Sequence, residues 1–124
     1  MIRLSVPQIA LMHDALIRET GGLDGIRDEG LLDLAANAPF QTFDGEYVYP
    51  SLEEKAARLG YFIVQNHPFL DGNKRVGMLA MMVFLELNGV ELSCTDQDII
   101  DAGLRLARGE MDDKELLEWI RRHK

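Results

Sequence analysis

Nine consecutive residues, "HPFLDGNKR" from His67 to Arg75, put an imidazole, a carboxylate, an amide and two cations within reach of one another. His67, with an ordinary pKa of about 6.5, can take a proton from an attacking hydroxyl at neutral pH; its plainer reading is a helix-ending or core histidine. Asp71 can hold Mg2+ on a nucleotide's phosphates or orient the hydroxyl, and it can equally be a turn carboxylate bonded to its own backbone. Gly72 permits a tight turn or a close approach of ligand to backbone. Asn73 can cap the helix that follows while also lining a site. Phe69 reads as the apolar plug that fixes the loop against the core, and Leu70 as a second plug or a substrate edge.

Lys74 and Arg75 fall in the first turn of that helix, where the helix dipole prefers acids. The conflict costs about 0.3 to 1 kcal/mol per exposed charge, and a bound anion would remove it. The alternative is that both cations reach away to Asp71, Glu53 or Glu54. A base, a metal-binding carboxylate, a tight turn, anion donors and cations, in that order, suit a phosphoryl or nucleotidyl transferase.

Helices must position these groups, because apolar spacings of three and four recur along the chain and strand-like alternation is nearly absent. The fold expected is all-α. Ser5 with Gln8 and Pro7 opens a first helix over about residues 6–19, with Ile9, Met12, Leu16 and Ile17 inward and "GG" at 21 and 22 ending it. Asp28 caps a second over roughly 29–38, with Leu31, Leu32, Ala35 and Ala36 inward. From Pro39 to Pro50 the pattern breaks, and its "DG" suggests a short hairpin or flap that either packs as a loop or offers a docking edge. Ser51 with Glu54 opens a third helix that Pro68 stops. A fourth runs from about Asn73 to Leu87, where "NG" closes it. Thr95 with Asp98, and Asp112 with Glu115, start two more, to about Leu106 and Ile120. No repeat, linker or low-complexity tail interrupts residues 1–124, so a single domain is expected.

Composition narrows the function. Thirteen Lys plus Arg against 21 Asp plus Glu give a net charge of -8, so broad wrapping by nucleic acid or attachment to an anionic membrane has no electrostatic basis. The longest apolar stretch, "MLAMMVFL", ends at Glu86 and falls far short of the roughly 20 residues a bilayer requires. The N-terminus lacks the pattern of a signal peptide, so a cytoplasmic location is expected. The lone Cys94 excludes an intrachain disulfide and reads as an inert thiol. There is neither a GxxxxGK[ST] loop nor an HExxH pattern, and His13 with His67 and Asp71 makes no convincing metal site. Met78, Met81 and Met82 read as helix packing.

"HPFLDGNKR" resembles the signature of the Fic/Doc superfamily, and "GLDGIRDEGLLDLAANAP" and "YPSLEEKAARLGYFIVQ" resemble the usual approach to it. The length and helical layout are similar to the short death-on-curing, or Doc, toxins. The adenylyl-transferring pattern of the superfamily, HPFxxGNGRxxR, is matched by His67, Pro68, Phe69, Gly72, Asn73 and Arg75. It is broken by Lys74 at the second glycine and Met78 at the final arginine, as "NKR" sequences of Doc proteins break it. The resemblance implies a toxin of a toxin–antitoxin module that moves the terminal phosphate of ATP to a threonine of elongation factor Tu. His67 would be the base, Asp71 the Mg2+ ligand, and Lys74 and Arg75, with Gly72 and Asn73, the phosphate contacts. It also implies a Phd-like antitoxin whose C-terminal segment folds onto a groove of the N-terminal helices; no basic stripe supports direct operator binding. Adenylyl transfer is the enzymatic alternative, kept open by Gly72, and a catalytically weak antitoxin-binding protein is the other.

Overall fold

Capping chemistry sets the starts of most helices. The computed structural model describes residues 1–124, in which six α-helices and one short hairpin follow in order. Helix α1 spans Val6–Thr20, α3 Leu52–Asn66, α5 Asp96–Ala107 and α6 Asp113–Arg122. Each begins with a reciprocal capping box: Ser5 with Gln8, Ser51 with Glu54, Thr95 with Asp98 and Asp112 with Glu115. Helix α2, Glu29–Asn37, is capped by the Asp28 side chain on the Leu31 N–H. These are the starts expected from the sequence, because the bonding partners lie only three residues apart.

Between α2 and α3 the chain makes a 3-10 turn, Ala38–Phe40, which takes up Pro39. A two-stranded antiparallel hairpin follows, β1 Thr42–Phe43 and β2 Glu46–Tyr47, paired Thr42 with Tyr47 and Phe43 with Glu46. Asp44 and Gly45 both have positive φ, 52° and 80°, as a two-residue hairpin turn requires. The hairpin is exposed, and a buried lysine ties down its exit. Lys55 is 1% accessible, donates to the carbonyls of Tyr49 and Pro50, and lies 4.0 Å above the Tyr47 ring. Burial pushes its ammonium pKa below the ordinary value.

Helix α4, Asn73–Leu87, is the central element, with Val76, Met78, Ala80, Met81, Phe84 and Leu85 buried. Met78 and Met81 are core residues and Met82 is half-buried, so the methionines pack rather than form a surface. Helices α3 and α4 pack most extensively on each other. They meet through glycines: a Cβ on Gly77 would lie 2.7 Å from Val64 Cγ2 and 3.2 Å from the Gly60 carbonyl oxygen. This close crossing fixes the end of α3 relative to the start of α4, and the loop between them carries the chemistry. No helix is long and apolar enough to cross a membrane.

Candidate active site

The loop from His67 to Gly72 joins α3 to α4, and both of its ends adopt left-handed backbone. His67 closes α3 at φ 52°, ψ 61°. Pro68 disfavours continuation of the helix, and the left-handed cap lets the chain turn at once. For a residue with a Cβ that conformation costs about 1 to 2 kcal/mol, a cost concentrated at functional sites. Gly72, at φ 76°, precedes α4 and supplies no side-chain cap. Its conformation explains the glycine directly, since any Cβ there would also come within 3.3 Å of Ile17.

Four sets of bonds hold the loop. Asn73 accepts from the Phe69 N–H and donates to the Phe69 carbonyl, both at 3.0 Å, which clamps the apolar plug Phe69 (1% exposed) into the core. This corrects the expectation that the Asn73 side chain caps α4. Asn73 is the first residue of the helix, and its amide is spent on the loop behind it. Arg27 donates to the carbonyls of His67 at 2.6 Å and Asn66 at 2.7 Å, a cation on the carbonyl end of α3. The backbone N–H groups of Arg27 and Asp28 both donate to the Pro68 carbonyl, and the Leu70 N–H donates to Gly25. His13, from α1, lies within hydrogen-bond distance of the Asp71 main-chain oxygen.

With the loop so held, His67, Leu70, Asp71, Gly72, Asn73, Lys74 and Arg75 line one cleft of ≈ 300 Å³ with Val64 and Ala107. All six residues singled out from the sequence are brought together, and His67 and Leu70 are exposed. The Asp71 carboxylate accepts from the N–H of Leu23 at 3.1 Å and of Gly72 at 2.8 Å. Those two bonds hold its pKa below the ordinary carboxylate value, with the nearby charges of Arg75 and His13 acting in the same direction. Gly22 is required at this contact, because a Cβ on it would stand 2.6 Å from Asp71 Oδ2.

The two cations behave differently. Arg75 turns back to the end of α1, donating to Thr20 Oγ1 and, at 3.4 Å, to the Gly21 carbonyl. Lys74 is exposed, makes no ion pair or hydrogen bond, and rests its stem against Gly103 of α5. The expected escape to Glu53 or Glu54 does not occur. Glu53 pairs with Lys124, and Glu54 closes the box on Ser51. Helix α4 begins its ladder with the Val76 N–H on Gly72, so the N–H groups of Asn73, Lys74 and Arg75 keep no internal acceptor. Unpaired donors beside a free ammonium and a guanidinium form a site for an oxyanion.

The sequence reading weighs His13 only as a distant metal ligand and passes over Arg27. An inward position on the first helix was legible for His13 from its place beside Met12 and Leu16, but its partner 58 residues away was not. No three histidine, cysteine, aspartate or glutamate side chains gather into a metal-binding group, and Asp71 is the one carboxylate among the residues that line the cleft.

Residues 3–85 match the Fic/DOC family. The chain is 45% identical over 73 residues to Toxin Doc of Mycolicibacterium smegmatis, an alignment that takes in 59% of this chain and 56% of that protein, so the chain spans little more than half the length of that relative. It is 26% identical over 125 residues to Protein kinase doc of Escherichia phage P1, across 98% of this chain and 95% of that protein. The match over residues 3–85 contains the whole segment 67–75, all of α3 and all but the last two residues of α4, and this chain belongs to the Fic/DOC family as a Doc-toxin-like member.

Proposed function

We propose that the chain is a toxin that transfers the terminal phosphate of ATP to a threonine hydroxyl of a protein, with elongation factor Tu as the target. The observation that carries this reading is Lys74: a cation without a partner in the first turn of α4, standing where the adenylyl-transferring pattern has a glycine. Met78, where that pattern ends in arginine, is buried in the core and offers no phosphate contact. The full-length similarity to the phage P1 protein, whose name is Protein kinase doc, is consistent with it.

In this reading His67 accepts the proton of the target hydroxyl as its oxygen forms a bond to the γ-phosphorus. The bond from that phosphorus to the β-phosphate oxygen breaks, and ADP leaves. Lys74, Arg75 and the first-turn N–H groups of α4 hold the transferred and leaving phosphates, with Gly72 keeping the backbone open beside them. The Asp71 carboxylate would hold Mg2+, whose charge offsets that of the phosphate oxygens. The exposed hairpin, carrying Phe43 and Tyr47, is the edge on which the target segment aligns. A Phd-like antitoxin covers the N-terminal helices, where Leu11 of α1 and Leu34 of α2 are exposed, with Leu23 exposed in the segment between them.

Incubation with elongation factor Tu and ATP labelled separately at the α and γ positions tests the reaction. Label from the γ position on the target is expected. Label from the α position overturns phosphoryl transfer in favour of adenylyl transfer, and no transfer of either label, with tight binding of an antitoxin segment, overturns both in favour of a non-catalytic binding protein.

A further inference from the structure

One buried polar side chain lies behind the cleft without lining it. His13 is 2% exposed. Its ring stacks on Phe69, with centroids 3.9 Å apart and planes 7° from parallel, and its Nε2 is 2.7 Å from the Asp71 main-chain oxygen. A carbonyl oxygen only accepts, so Nε2 carries the hydrogen and donates. Asp24 Oδ1 stands 4.0 Å from the other ring nitrogen. Burying an imidazole costs free energy that a leucine of similar bulk would not, so the hydrogen bond is what distinguishes histidine at this position.

That bond acts on one peptide plane. The carbonyl of Asp71 and the N–H of Gly72 belong to the same rigid unit, and both ends are engaged, the oxygen by His13 and the N–H by Asp71 Oδ1. Glycine on the far side leaves such a plane free to flip between turn types. We infer that His13 is a positioning residue: its Nε2–H holds the Asp71–Gly72 peptide in the orientation that combines the carboxylate in the cleft with the left-handed turn opening α4. The consequence for Mg2+ rests on the phosphoryl-transfer reading above, while the consequence for the loop does not.

Two variants separate the roles. His13→Phe keeps the stack on Phe69 and removes the donor; His13→Gln places an amide Nε2 where the ring nitrogen sits. Amide hydrogen exchange in the protein without nucleotide is followed at Leu23 and Gly72, whose N–H groups bind Asp71, and at Leu116 and Ile120 in α6 as a reference. In His13→Phe, exchange at Leu23 and Gly72 is expected to be about tenfold faster, as loss of one buried hydrogen bond produces, with α6 unchanged. The Mg2+ concentration for half-maximal transfer is expected to rise about tenfold, with KM for the protein target unchanged. His13→Gln is expected to return both readings to within about threefold of the parent. Equal exchange and equal Mg2+ dependence in His13→Phe and parent would overturn the assignment, as would acceleration spread evenly over α6. If the parent protein transfers no phosphate at all, the proposed function falls, and the exchange at Leu23 and Gly72 still decides the role of His13.

Discussion

The start of α4 differs from the start of every other helix in this protein. Helices α1, α2, α3, α5 and α6 begin with a Ser, Thr or Asp side chain on a backbone N–H, and four of the five complete a capping box. Helix α4 begins with a left-handed glycine, no side-chain cap and two cations in the first turn. A cap is worth about 1 kcal/mol and each misplaced charge costs several tenths, so the central helix of the fold gives up roughly 2 kcal/mol of local stability at its N-terminus. The same open donors and cations are what an anion needs. Stability has been withheld at the one helix start that lies in the cleft, and the packing of α4 in the core compensates for it.

The largest expected effect breaks the chemistry at this junction and leaves the fold. His67→Ala is expected to lower transfer by about 10²- to 10⁴-fold, measured as γ-label on the target, because no other imidazole lines the cleft. His67→Gly is expected to lose the same activity while raising stability by about 1 kcal/mol in urea denaturation, since glycine relieves the left-handed cap. Activity surviving in either variant would remove His67 as the base.

Lys74→Met is expected to raise KM for ATP by roughly 10- to 100-fold, the range for a charged hydrogen bond to phosphate. It is also expected to stabilise the protein without nucleotide by about 0.3 to 1 kcal/mol by removing a cation from the wrong end of α4. At a capped start the sign reverses. Thr95→Ala is expected to cost about 1 kcal/mol of stability without changing KM for ATP, and equal behaviour of the two variants would erase the contrast.

The smallest effect is acid sensitivity of the loop. The folded pKa of Asp71 lies below its ordinary value near 3.8, so its bonds to Leu23 and Gly72 contribute stability that is fully present above that ordinary pKa. This contribution is lost as pH falls through the lower folded value. A plot of denaturation midpoint against pH below about 4 should therefore fall less steeply in Asp71→Asn than in the parent. Parallel curves would show that the carboxylate carries no linkage.

Much of the fold is legible in the sequence. Each box Ser5–Gln8, Ser51–Glu54, Thr95–Asp98 and Asp112–Glu115 joins residues three apart, and "DG" at Asp44 and Gly45 named its own turn. The site residues were legible as a group because they fall within nine positions. Their individual contacts were not. Asn73 looked like a cap and serves as a clamp, and Arg75 looked free or paired with an acid and turns to Thr20 and Gly21.

Sequence alone determined the helix starts, the hairpin turn and the list of groups in the cleft, because each of these depends on bonds or charges within a few residues along the chain. Tertiary structure alone decided which cation stays free, what fixes the Asp71 carboxylate and why His13 is buried. Those outcomes depend on where α1 and the segment from Gly22 to Asp28 return against the loop, 40 to 58 residues later in the chain. Local hydrogen-bond geometry carries no information about that return; packing of α1, α3 and α4 around shared apolar surface does.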